Sequence, residues 1–261
     1  MLSFFKPKNS LLAKYIEGYY FLKNDNKDFS MSYYTFPNNF QIVTCALDSE
    51  LILEEGHLIS NFKRNGDFVS TFTYNYSSPI KIEYHGRVNE LTIYFKPLGL
   101  NYFVHDLSKY CKNENFSDFF PFDDFQIQMQ NVLTRQTVDE SIDCLENYWL
   151  SKFATVDLAK MERIMSCLKV MSIQNASKEL GISRQYLYRL FKSNLGKTPI
   201  EFKRIQRFRN AIDFPDSDMN LDNMFYDQSH FIKEVLSLTK ILPTKLFSDV
   251  EYKTANPWLI I

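Results

Sequence analysis

The chain has 261 residues, 30 basic against 31 acidic side chains, 45% hydrophobic and 23% charged content. Those proportions exclude a disordered or fibrous chain and leave room for two globular domains. No apolar run approaches the ~18 residues of a membrane span, and the first residues lack a signal-peptide core. Cys45, Cys111, Cys144 and Cys167 show no C-x-x-C spacing. A disulfide framework or zinc module is therefore not expected, and a cytoplasmic setting is.

Between about 30 and 96 the pattern is that of strands. The segments 32–36, 40–47, 68–76, 80–84 and 90–95 are rich in β-branched and aromatic residues, and turn signals such as Pro37-Asn38-Asn39 and Asn65-Gly66-Asp67 separate them. In the last, Leu91, Ile93 and Phe95 alternate with Thr92 and Tyr94. This spacing predicts an antiparallel sandwich or small barrel. Two helical stretches follow over 125–152, the second carrying Val138, Ile142, Leu145 and Trp149 on one face. That face is expected to pack on the β-domain, with a dimer contact as the alternative. Residues 151–157 mark the expected boundary.

Beyond 158 the pattern is one of short helices. Asp157 is placed to cap the first, which runs to about Met171; the second, 173–180, ends at Gly181. Ser183 caps a third that stops before Gly196, and Thr198-Pro199-Ile200-Glu201 is a capping box that opens a fourth, lasting to about Asp213. A helix near 217–223, another capped by Asp227 and a short one at Pro243 complete a second round. Helix, Gly-containing turn, helix is the helix-turn-helix arrangement.

In "SRQYLYRLFKSNLGKTP" (183–199), Leu187, Leu190 and Phe191 form an apolar stripe, while Arg184, Gln185, Tyr188, Arg189 and Lys192 share the opposite face. Arg and Gln can each make two hydrogen bonds to one base, to guanine and adenine respectively. Gln185 and Arg189 are the expected base readers, flanked by Tyr188, with Arg184 and Lys192 on phosphates. Residues 183–209 hold eight Lys+Arg against Glu201, a local charge of +7, whereas 210–250 hold three bases against seven acids, or −4. Such asymmetry points to a polyanion, and it also raises the prospect that the acidic half docks on the basic half.

These motifs resemble the DNA-binding domain of the AraC family of bacterial transcription regulators. The first unit is similar at "ASKELGISRQYLYRLFKSNLGKTPIEFKRIQRFRNAI" and the second at "FYDQSHFIKEVLSLTKILPTKLF". The resemblance implies two helix-turn-helix units joined by one long helix, each placing a helix in the major groove of one DNA face. Gln228, Ser229, Ile232 and Lys233 would then be the outer face of the second reading helix. That unit departs from the family at Asn220, Met224, Val235, Leu236 and Lys240, and Val235 stands where a Phe-sized plug is usual. It is expected to be a weakened reader. His230 reads as a structural residue.

"KYIEGYYFLK" and "HGRVNELTIYFKPLGLNYFV" resemble, more faintly, the front domain of one branch of these regulators. No catalytic grouping or phosphate loop is visible there, so an enzyme is not expected. His57, His85 and His105 lie far apart in sequence, so neither a metal site nor a cofactor is expected. The expected fold class is α+β multidomain: a β-rich, sandwich- or barrel-like sensor or dimerisation domain with trailing helices (1–154), then an all-α domain of two helix-turn-helix units (155–250) and a tail (251–261). The expected function is regulation of transcription, activation included. Double-stranded DNA is the expected partner, with RNA polymerase, a small-molecule effector of the front domain and a second copy of the chain as further candidates. The alternative is a regulator-like module that binds protein and has lost specific DNA affinity.

Overall fold

The computed structural model describes residues 2–111, 116–213, 228–249 and 259–260. Two facing sheets build the N-terminal domain. One runs β1 (Leu2–Phe5), β2 (Ile16–Asn24), β9 (Val88–Phe95), β4 (Gln41–Ala46), β7 (Val69–Thr73), β10 (Phe116–Asp118). The other runs β11 (Leu259–Ile260), β3 (Ser30–Thr35), β8 (Ile80–His85), β6 (His57–Phe62), β5 (Ser49–Glu54). All described ladders are antiparallel except β6 with β8.

The sandwich expected from the sequence is present, and the five predicted strands appear near their predicted places. The 68–76 strand is cut short at Thr73, and Tyr74 and Tyr76 beyond it are buried. Strands β1, β2, β5, β6, β10 and β11 were not foreseen. β5 and β6 form a hairpin through Gly56, whose φ of +71° suits a residue without a Cβ. β11 belongs to the expected tail: Leu259 and Ile260 pair with Thr35 and Tyr34 on β3.

Strand β9 is buried on both faces. Leu91, Ile93 and Phe95 face the helices, whereas Glu90, Thr92 and Tyr94 face the space between the sheets. Alternation here separates two interiors rather than core from solvent.

Helix α1 (Leu12–Tyr15) is held to α3 (Val138–Lys152) by Glu146, whose carboxylate accepts from the Lys8 and Asn9 backbone amides at 2.7 and 2.9 Å. Thr137 and Glu140 form a capping box that starts α3. With α2 (Phe125–Leu133), α3 covers the outer face of the first sheet. Ile142, Leu145 and Trp149 are buried in that core, and only Val138 of the predicted face is exposed.

The helical half comprises α4 (Ala159–Val170), α5 (Ile173–Glu179), α6 (Arg184–Leu195), α7 (Pro199–Asp213), α8 (Gln228–Thr239) and α9 (Pro243–Asp249). The helix expected near 217–223, and Asp227 as a cap, lie outside the described residues. The Asp157 carboxylate accepts from the Ala159 amide at 3.1 Å, so it does serve the start of α4.

The two halves share packing. Leu98, from the Lys96–Gly99 turn and at φ +67°, is buried in the core of α4–α6. Phe36, from the loop after β3, is buried with Phe208, Val235, Leu238 and Leu246. Val235 thus packs in one buried cluster with a side chain of the front domain, 199 positions earlier in the chain.

Candidate nucleic-acid interface

Helices α5 and α6 and the turn between them are set by local chemistry. Ser172 caps α5 through the Asn175 amide, and Ser183 caps α6 through the Tyr186 amide at 3.1 Å. Gly181 takes φ +62°; a Cβ there would meet nothing within 4 Å, so its backbone angle, not space, calls for glycine. Gly196 ends α6 at φ +70°, and there space matters as well: a Cβ would lie 2.3 Å from the Tyr74 ring. The C-terminal end of α6 therefore abuts the front domain and its N-terminal end points away.

On α6, Leu187, Phe191 and Leu195 are buried and Leu190 is half-buried. Arg184, Gln185, Arg189 and Lys192 are exposed, and Tyr188 is half-buried among them. The predicted face is therefore a real and continuous row. Two further residues join it that the sequence reading passed over. The Arg189 guanidinium lies 5.1 Å from the Tyr186 ring centre, and the Lys160 ammonium lies 5.4 Å from the same ring. Tyr186 thus holds two cations near the start of α6. An aromatic residue three positions before an Arg was the only local signal; Lys160 comes from another helix.

The eight bases of 183–209 do not form one surface. Lys197 is buried and donates to the Asn38 carbonyl at 3.0 Å. Arg209, also buried, donates to the Phe36 and Pro37 carbonyls at 2.8 and 2.9 Å. Lys203 donates to the Leu168 and Met171 carbonyls, which closes the C-terminal end of α4. Arg204 and Arg207 turn towards α8, where Glu234 lies 3.7 Å from Arg204 and 3.0 Å from Arg207. Lys192 sits at the C-terminal end of α6, 3.4 Å from the Gly196 carbonyl and 4.0 Å from Glu201.

That redistribution corrects the split of +7 against −4. Arg204 and Arg207, counted with the first unit, line a groove with His230, Lys233 and Glu234 beside the second. On α8 itself Gln228, Ser229 and Lys233 are exposed and Ile232 is half-buried. Between the acidic and basic segments, Glu234 pairs with the arginines of α7. Of the seven acids counted over 210–250, those at 213–227 have side chains outside the described residues. Exposed His230 lies 3.8 Å from Glu234, one turn away on α8.

His57 and His85 are brought together by the β6–β8 ladder, contrary to their reading as distant. Their Nε2 atoms lie 3.2 and 3.6 Å from one Glu83 oxygen, and Lys81 pairs with the other. With both oxygens of Glu83 engaged, the cluster is a half-buried polar network on the second sheet. Among the described residues no group of three or more His, Cys, Asp or Glu is arranged to hold a metal ion. No helix among them is long and apolar enough to cross a membrane.

No protein-family model and no curated protein matches the sequence. Among solved structures the fold is similar to that of ToxT from Vibrio cholerae, at 15% identity over 87% of this chain and 98% of that one, with a TM-score of 0.42. An apo lysine-to-alanine variant of ToxT from V. cholerae strain SCE256 gives 15% identity over 88% and 97%, with the same score.

Proposed function

We propose that the chain is a sequence-specific DNA-binding regulator of transcription in which α6 is the main reader. The supporting observation is the row of exposed Arg184, Gln185 and Arg189 with half-buried Tyr188 on a helix whose N-terminal end is capped and points away from the front domain. Helices of this kind reach base edges with their first residues. Gln185 and Arg189 are the base readers, Arg184 and Lys160 phosphate contacts, and Lys192 a weaker contact because Gly196 and Glu201 already engage it. The second unit reads less: α8 presents Gln228, Ser229, Ile232 and one base, Lys233, while Arg204 and Arg207 beside it supply anchoring to phosphate. The front domain is the sensor, and RNA polymerase and a second copy of the chain are the protein partners.

Fragments selected from a random duplex library by the full-length protein at about 150 mM salt test this reading, since phosphate contacts make affinity depend on salt. An enriched motif is expected. Arg189→Ala should weaken binding to it by about 1–3 kcal/mol and relax one position, and Lys233→Ala should do much less. The second reading, a protein-binding module without specific DNA affinity, is favoured by the five bases of 183–209 that are engaged within the protein. It predicts no enriched motif.

A further inference from the structure

The space between the two sheets holds a cavity of about 70 Å³. At about 10–15 Å³ for each water-sized group, it admits roughly five such groups. Five tyrosines and five threonines line it together with apolar side chains and a single ionisable carboxyl group, Glu90. No Lys, Arg or His is among the lining residues. Glu90 is buried, and its Oε1 accepts from the Tyr84 hydroxyl at 2.7 Å and the Thr92 hydroxyl at 3.4 Å. Both donors fall on that one oxygen, so an incoming donor would meet Oε2.

We infer that this cavity binds a small organic cation, a primary ammonium compound of about three to five non-hydrogen atoms, with its charge on Glu90 and its carbon atoms against the tyrosine rings. An acidic, aromatic box with no base suits such a ligand on two counts: the carboxylate supplies a full opposite charge, and the ring faces add attraction for a cation. The same lining repels carboxylates and phosphates. Burial pushes the Glu90 carboxyl up to about 7, so near neutral pH it exchanges between acid and carboxylate. Binding the ammonium form favours the carboxylate, with release of the proton carried by the acid form, and gives an ion pair.

The cavity also touches the joint between the halves. Tyr76 and Thr35 line it. The Tyr76 hydroxyl donates to the Phe36 carbonyl at 2.6 Å and accepts from the Asn38 side chain at 2.8 Å. Phe36 and Asn38 are the residues whose carbonyls Arg209 and Lys197 hold. A ligand that shifts Tyr76 therefore acts on the contacts that fix α7.

This inference rests on reading the front domain as a sensor, not on DNA binding, so its test contains no DNA. Thermal unfolding of the full-length protein is followed with ethylammonium or ethanolammonium chloride, and with ethanol, ethylene glycol and sodium propionate as counterparts. At roughly ten times the dissociation constant the ammonium compounds should raise the midpoint by about 3–6 °C. The alcohols and propionate should not. Glu90→Gln imitates the neutral acid, so it should fold and lose the response. Should that variant not fold, the ranking of ammonium over alcohol in the unaltered protein decides alone. Equal shifts with the alcohols, no shift with either ammonium compound at about 50 mM (on the order of fifty times a millimolar dissociation constant), or an undiminished response in a folded Glu90→Gln would each overturn the inference.

Discussion

Burial draws the Lys197 ammonium down to about 7, with Glu201 and Cys111 opposing the shift and Lys192 adding to it. A lysine whose value is lowered by folding binds fewer protons in the folded state than in the unfolded state between about 7 and the ordinary 10.5. Its contribution therefore rises as pH increases through that window and is lost as pH falls through 7. Urea unfolding of the wild type and Lys197→Met at pH 6.5, 8 and 9.5 checks this: the wild type should gain on the variant with each step. Parallel curves would show that the ammonium is not taken out of water. Lys197 also marks a boundary of what sequence shows. Its neighbours Ser183, Gly181 and Thr198 declare their roles within three residues of themselves, because caps and left-handed turns are local. Lys197 and Arg209 do not, because the carbonyls they hold lie 159 and 173 positions away.

At the level of elements the decisive piece is the loop after β3. Phe36 enters the core formed by α7, α8 and α9, and its own carbonyl is held by both Tyr76 and Arg209. Phe36→Ala should destabilise the protein by about 3–5 kcal/mol in denaturant unfolding. Val235→Phe on that background should recover part of the loss by refilling the space from within the helical domain. A loss below about 1 kcal/mol would mean that the core closes without this side chain. The sequence marks Val235 as an apolar helix position, yet not that Phe36 packs against it. Strand β9 teaches the same point: the alternation at 90–95 was plain, but a period of two says which residues share a face, not whether both faces are buried. The strands of the β5–β6 hairpin are as long as most of the five that were recognised, but they are mostly polar on one side, which weakens their pattern.

For the whole molecule, a net charge of −1 hides a local excess of bases at 183–209, only part of which faces outward. Eight bases acting on phosphates would give a slope of log affinity against log salt of about −7; three to six would give about −3 to −5. The smaller magnitude is expected for the selected site, because Lys197, Lys203 and Arg209 are engaged inside the protein. A slope of −7 or steeper would mean that those internal contacts open on DNA. Arithmetic on sequence was sound in sign and misleading in extent, since a charge that bonds a buried carbonyl contributes to cohesion instead of to a field.

The loop that carries Phe36 also makes the two halves unsuited to exchange. A chimaera that joins this helical half to a foreign front domain would leave the cluster of Phe208, Val235, Leu238 and Leu246 without Phe36 and Arg209 without its carbonyls. The isolated helical fragment would have the same defects. The boundary near 151–157 divides the chain as a text, while cooperativity ignores it, so calorimetry of the intact protein should record one transition where two domains would otherwise melt apart.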